Sequence, residues 1–396
     1  MRMHKLSMMA LVSVVAVSQL LCADTVPVNV PELLTTFDGR RIADRSLWES
    51  VRRPELKDRF LDRMYGRPPV WAERPEVAFR LEEPDEIAMD GKAVRKRVRI
   101  HYCGPFGASS FVALAFIPAS EKPVPAFLLI CNRTPEQNID PTRKCKTGFW
   151  PAEEIVARGY AAVTFFNGDI APETYNPATA FLDGVFTCYE RPQDRTDTSW
   201  GTLAAWAWGA SRVMDWIASE PKLDASHVAV VGHSRDGKAA LLAGAMDERF
   251  AFTCANDSGC GGAKLAHIDL PDSEHYASFL SSRVTYWYCG AFQRYCMNHD
   301  DAAAVGEAGM DFDQHELAAL VAPRLLAIGS ASEDAWAGPI GEFHTARLAS
   351  PAWELYGRRG LGGDVNYHLR TGGHDLTPYD WGVYMDFADA HGWRER

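Results

Sequence analysis

A three-layer α/β sandwich with a mostly parallel central sheet is the fold class this sequence predicts, on three observations. Continuous apolar runs over residues 126–131, 161–166 and 228–231 have the character of strands buried on both faces. Over residues 201–219 the apolar side chains Leu203, Trp206, Val213, Met214 and Ile217 recur at helical spacing. Strand-like and helix-like segments then alternate to the C-terminus, which calls for a parallel sheet covered on both faces.

Taken in order, residues 1–23 read as a secretory leader. Arg2, His4 and Lys5 make a basic start, an apolar run follows, and Ala23 precedes the polar Asp24. The run is short for a membrane span, and Leu21 before Cys22 fits a lipidation site poorly. Residues 24–90 read as an N-terminal extension packed on a catalytic domain over 91–396. An antiparallel hairpin is expected over 96–102 and 111–117, joined by the 104–110 turn. The three apolar strands follow, with helices over 201–219 and 238–246. Further strands are expected at 250–255, 324–328 and 366–369, and further helices at 341–349 and 378–390. Ligands of such sheets bind at the C-terminal ends of the strands.

Loss of the leader removes Arg2 and Lys5, leaving 39 basic and 52 acidic side chains, a net charge of −13. That surface repels nucleic acid and anionic membranes, so neither is expected as a partner. Nine cysteines include no CxxC pair, and there is no HExxH pattern. No metal or cofactor is expected. Cys260, Cys289 and Cys296 are close in sequence, so export leaves disulfides and buried free thiols as equal alternatives.

The segment V-A-V-V-G-H-S-R-D-G-K, from Val228 to Lys238, carries the chemistry. A buried strand enters a tight turn between Gly232 and Gly237, Ser234 sits at its apex, and a helix follows. That is the layout of a nucleophile elbow, which lifts a hydroxyl above the sheet and aims helix N–H groups at an oxyanion. The second glycine is one place later than in G-x-S-x-G. A bland alternative is a serine N-cap. A phosphate-binding loop, G-x-x-x-x-G-K, is spelled in the same residues, but Ala239 stands where that motif needs Ser or Thr.

In an α/β-hydrolase the elbow serine is followed along the chain by an acid and then a histidine. Among twelve histidines, His374 in T-G-G-H-D lies on a glycine-rich loop after the last strand and before the last helix. It is the expected base. Asp334 follows the 324–328 strand and is the expected acid, with Glu333 adjacent. Asp257, at the end of the preceding strand, is a second candidate.

Together these residues resemble the glucuronoyl esterases, carbohydrate esterase family fifteen, over roughly residues 90–392. G-H-S-R-D-G-K is similar to that family's elbow, shifted glycine included. N-D-S-G-C-G-G-A, D-Q-H-E-L-A-A-L-V-A-P-R, S-E-D-A-W-A-G-P and G-G-H-D-L-T-P-Y-D-W resemble its later blocks in order. The resemblance implies a hydrolase of (4-O-methyl)glucuronic acid esters on xylan, as in lignin–carbohydrate linkages; the leader places it as secreted or periplasmic, and a monomer is expected. It implies an oxyanion role for Arg235 and a sugar-holding role for Lys238, Trp336 and, in D-L-P-D-S-E-H-Y, Glu274. It also allows the acid at either Asp257 or Asp334. Gly338 stands where many relatives have Asp, and 266–283 departs from the family pattern. An acetyl or feruloyl esterase, and a non-catalytic carbohydrate-binding relative, are the alternatives.

Overall fold

The computed structural model describes residues 29–69, 77–270, 272–297 and 305–394. The expected leader over 1–23, with Cys22, lies outside them. Ten strands form one sheet in the order β1-β3-β4-β6-β5-β7-β8-β9-β10, with β2 paired to β3 off that path.

The expected hairpin is β3 (Ala93–Gly104) and β4 (Gly107–Pro118), longer at both ends than the sequence pattern indicates. Two short strands, β1 (Val77–Leu81) and β2 (Glu86–Ala88), pair antiparallel to β3 and were not anticipated. Both are half-exposed or exposed edge segments, so they lack the apolar run that marks a central strand.

The parallel half consists of β5 (Val124–Cys131), β6 (Ala161–Phe166), β7 (Leu223–His233), β8 (Phe252–Asn256), β9 (Leu325–Ala331) and β10 (Val365–Arg370). Successive residues of β5 alternate between two cores. Ala126, Leu128 and Ile130 belong to one, and Phe127, Leu129 and Cys131 to the other. Helices must therefore cover both faces, and this is why these strands read as unbroken apolar runs. On the first face lie α1 (Arg53–Phe60), α2 (Thr202–Ile217), α3 (Arg235–Met246), α4 (Gln314–Ala319) and α5 (Pro339–Ala349). The opposite face is covered by α6 (Pro378–Ala390), through Trp381, Tyr384, Met385 and Ala388, and by the short helix Ala152–Ala157, through Ala152, Ile155 and Val156.

Residues 29–65 are fastened to the first face by burial and charge. Leu56, Phe60, Met64 and Tyr65 join its core. Arg52, buried beside α1, pairs with the buried Glu316 of α4, donates to Glu55 at 2.8 Å and lies over the Phe37 ring. Burial pushes the Glu316 carboxyl up to about 8, against the pull of Arg52.

The eight described cysteines are all free thiols, with Cys103 and Cys145 exposed and the rest buried. Among the described residues no helix is long and apolar enough to cross a membrane.

Removing one member of a buried pair costs more than removing both, because the survivor stays buried without a partner. Arg52→Met should lower unfolding free energy in urea by about 3 kcal/mol, and Arg52→Met with Glu316→Leu should recover most of that loss. Equal losses in the single and double variants would show that the pair does not fasten the extension.

Candidate active site

Ser234 occupies the apex between β7 and α3 with φ +59° and ψ −127°, a left-handed backbone that a non-glycine residue holds only under constraint. Its N–H donates to the Asn256 carbonyl at 2.9 Å, which ties the turn to the end of β8. The two flanking glycines answer to different neighbours. A Cβ on Gly232 would stand 1.9 Å from the Asp236 carbonyl oxygen, so the close turn forbids any side chain there. A Cβ on Gly237 would stand 2.9 Å from both the Asn256 carbonyl oxygen and the Ser258 Cβ. The displaced glycine is thus dictated by the approach of α3 to the end of β8.

His374 lies on the loop after β10. Its Nδ1 is 2.5 Å from Asp334 Oδ2, with the imidazole partly exposed and the carboxylate buried. The other Asp334 oxygen accepts the Ala337 N–H at 3.2 Å. The His374 ring is 4.5 Å from that of His233, the residue before Ser234, so base loop and elbow adjoin. His233 is itself buried, with Nδ1 2.8 Å from Asn256 Oδ1. Burial and the neighbouring His374 hold it below the usual imidazole range. Glu333, adjacent to Asp334, is exposed.

Asp257 is near but otherwise engaged. One atom each from Asp257, Asp334 and His374 lie within 4.8 Å of one another. Yet Asp257 Oδ2 accepts Arg370 Nη2 at 3.0 Å and the Asp375 N–H at 3.4 Å, while Oδ1 is buried without a partner. Arg370 also donates through Nε to Asp380 at 2.9 Å. Burial, then the nearby Glu342, pushes the Asp257 carboxyl up to about 9, with Arg370 opposing. With His374 Nδ1 already taken by Asp334 and a guanidinium on Asp257, the three side chains suit proton handling better than cation binding.

The residues implied to meet substrate gather around the same turn. Arg235 Nη1 donates to Glu173 Oε2 and, at 3.1 Å, to the Tyr175 hydroxyl. Lys238 is buried, and its Nζ donates to the carbonyls of Ser258 at 2.8 Å and Cys260 at 2.7 Å, and to Glu274 Oε2 at 3.0 Å. Trp336 is 53% exposed, and its carbonyl accepts the Glu274 N–H at 2.7 Å. Glu274 thus stands between Lys238 and the Trp336 backbone.

Four side chains here carry no sequence motif. Glu173 and Tyr175 come from the loop after β6, Arg370 ends β10, and Glu342 lies in the first turn of α5. Glu342 is buried and accepts Ser258 N–H at 2.8 Å, Ser258 Oγ at 3.0 Å, Gly259 N–H at 2.9 Å and Ser330 Oγ at 2.5 Å. An acidic residue in a helix's first turn usually serves only the dipole, so the sequence hid its partners. Arg370 had one available signal, its position at a C-terminal strand end.

The family model for fungal glucuronyl esterases matches residues 135–357, more than half of the chain. The chain belongs to the glucuronoyl esterases, carbohydrate esterase family 15. A carbohydrate esterase from an unknown prokaryotic organism is 33% identical over 405 residues, spanning 92% of this chain and 89% of that one. The 4-O-methyl-glucuronoyl methylesterase of Wolfiporia cocos is 32% identical over 208 residues, 51% of this chain and 48% of its own. Among solved structures, the glucuronoyl esterase from Solibacter usitatus superposes with a TM-score of 0.80 at 32% identity, covering 93% of this chain and 99% of that one. A promiscuous family-15 esterase from a marine bacterial metagenome gives 0.80 at 33% identity, over 93% and 98%. The α/β-hydrolase fold expected from the elbow is the fold of this family.

Glu342 supplies a pH test. Burial pushes its carboxyl from 4.5 up to about 7, against its four donors. A raised carboxyl favours folding fully below its unfolded value, and that contribution is lost as pH rises through the folded value. Wild-type unfolding free energy should therefore decline by roughly 1–3 kcal/mol between pH 4.5 and about 7, seen as a falling Tm, and Glu342→Gln should remove that part of the decline. Parallel Tm–pH curves for the two proteins would show that Glu342 does not titrate there.

Proposed function

We propose that this chain is a serine ester hydrolase that cleaves esters of (4-O-methyl)glucuronic acid, with Ser234 as nucleophile, His374 as base and Asp334 as the orienting acid. The observation that carries this reading is the 2.5 Å contact of Asp334 with His374 Nδ1, on a loop whose imidazole adjoins the Ser234 turn. A carboxylate on Nδ1 fixes the tautomer that leaves Nε2 able to accept a proton, and it stabilises the imidazolium that forms. Ser234 Oγ attacks the ester carbonyl as His374 takes its proton. The alcohol leaves with that proton, and water then repeats the sequence on the acyl-enzyme.

Negative charge on the carbonyl oxygen exists only in the tetrahedral state. Arg235 and the first-turn N–H groups of α3 therefore favour that state over the neutral ester. Glu274 and Trp336 are assigned to the sugar. Lys238, with its three protons donated to protein acceptors, acts by holding Glu274 and the 258–260 turn. Glucuronoxylan or a lignin–carbohydrate ester is the substrate class, supported by relatives named 4-O-methyl-glucuronoyl methylesterase. Export after removal of 1–23, a 24–90 extension on a 91–396 catalytic domain, and action as a monomer complete the reading. The packing of residues 29–65 through Arg52 supports an extension folded onto the catalytic domain, while β1 and β2 make residues 77–88 part of its sheet.

The test is hydrolysis of methyl 4-O-methyl-glucuronate against acetylated xylan and a feruloyl ester. Preferential turnover of the uronate ester is expected, and preference for either other ester would overturn the substrate assignment. Ser234→Ala should abolish turnover with Tm retained, whereas wild-type-like turnover would remove Ser234 from the mechanism.

The acids should differ in kind. Asp334→Asn should lower kcat/KM by roughly 10⁴, the cost of a triad carboxylate that sets the tautomer. Asp257→Asn, whose partner is Arg370, should cost about tenfold. Kinetics of the two variants and their combination decide this; a fully active Asp334→Asn would transfer the acid to Asp257.

A further inference from the structure

Arg235 and Lys238 stand three residues apart at the start of α3, and each is capped by a carboxylate from an unrelated segment. Glu173, from the loop after β6, pairs with Arg235, and Glu274, from the 266–283 stretch, pairs with Lys238 at 3.0 Å. The Trp287 ring backs both cations, at 5.9 Å from the Arg235 guanidinium carbon and 6.0 Å from Lys238 Nζ. An aromatic wall excludes water and strengthens both pairs.

The Glu173 cap is held under constraint. Glu173 Oε1 is buried without a hydrogen-bond partner, an arrangement proteins rarely retain without use. Two residues on, Tyr175 adopts φ +49°, and its N–H is fixed by the Tyr286 hydroxyl at 3.2 Å. Its own hydroxyl meets the same Arg235 nitrogen as Glu173. A strained turn and an unsatisfied carboxylate oxygen therefore serve one guanidinium.

The chemistry gives this cap a purpose, taking the uronate-ester reading above as its basis. The substrate is a neutral ester, while the acid product carries a full negative charge on the two oxygens of the same carboxyl carbon. An uncapped guanidinium beside that carbon would grip the product carboxylate through a charge-assisted pair and bind it more tightly than the substrate. Glu173 offsets the positive charge while occupying one nitrogen, leaving the other N–H groups of Arg235 for a substrate oxygen.

We propose that Glu173 is a specificity-determining residue. By pairing with Arg235, as Glu274 does with Lys238, it keeps the cleft electrically balanced, so that the neutral uronate ester binds in preference to the free uronate and the product leaves. Glu173 acts through Arg235 and is a positioning residue rather than a catalytic one.

The experiment compares wild type with Glu173→Gln. Calorimetry gives the affinity for free 4-O-methyl-glucuronate, and kinetics give its Ki, with KM and kcat for the methyl ester. Glu173→Gln should bind the free uronate about five- to tenfold more tightly, the range for a partly buried charge pair. KM for the neutral ester should move much less, and kcat should fall as Arg235 loses its anchor. Unchanged or weaker uronate binding, or an equal tightening of uronate and ester, overturns the inference. If the variant does not fold, wild type decides through salt. Capped cations predict uronate inhibition that is nearly insensitive to ionic strength, and a steep weakening in high salt overturns the cap. Failure of wild type to turn over the methyl ester would instead overturn the functional reading, while the uronate affinities would still judge the cap.

Discussion

Glu342 binds two strand ends at once, and the site is assembled on that attachment. Its Oε1 gathers Ser258 and Gly259 from the turn after β8, and its Oε2 takes the Ser330 hydroxyl near the end of β9. Asp257 precedes the first of these and Asp334 follows the second by four residues. The two acids near His374 are therefore placed by a third, buried acid that touches neither substrate nor base. Desolvation makes such a carboxylate costly unless its lone pairs are met, and here four donors meet them.

A second network performs the same service on the other side of His374. Arg370, at the end of β10, joins Asp257 to Asp380, and His368 Nε2 meets the other oxygen of Asp380 at 2.8 Å. Asp380 in turn caps α6 through the Thr377 N–H and hydroxyl. The glycine-rich loop 371–373 thus spans two anchored points, β10 and the start of α6. Asp257 belongs to this scaffold, whereas Asp334 hydrogen-bonds the imidazole.

Much of this arrangement was legible in the sequence, for reasons that differ by element. Strands β5, β6 and β7 were readable because burial on two faces demands an uninterrupted apolar run. Helix α6 was readable over its whole length because Pro378 fixes its first turn. Ser234, Asp334 and His374 could be picked out as candidates because each lies just past the end of a strand, in the chain order of an α/β-hydrolase. Strands β1 and β2 were not readable, since edge strands open to solvent carry no alternation strong enough to mark them. Glu173 and Glu342 escaped for another reason. Their significance lies in partners 62 and 84 residues away, and nothing local distinguishes a carboxylate that caps a distant group from one that faces water. The burial of Lys238 was hidden likewise, because a lysine after a glycine-rich turn looks available until its acceptors are known.

The displaced glycine at 237 has a consequence for how such enzymes are found among uncharacterised genes. A search that demands glycine two places after the serine tests the tightness of the turn alone, and it would discard this chain. The glycine three places after the serine reports something else, the distance at which α3 rides over the end of β8. A pattern written around that contact, glycine two before and three after the serine, would recruit proteins by the closeness of a helix to its neighbouring strand, a trait of architecture that remains readable when the reacting groups themselves have been replaced.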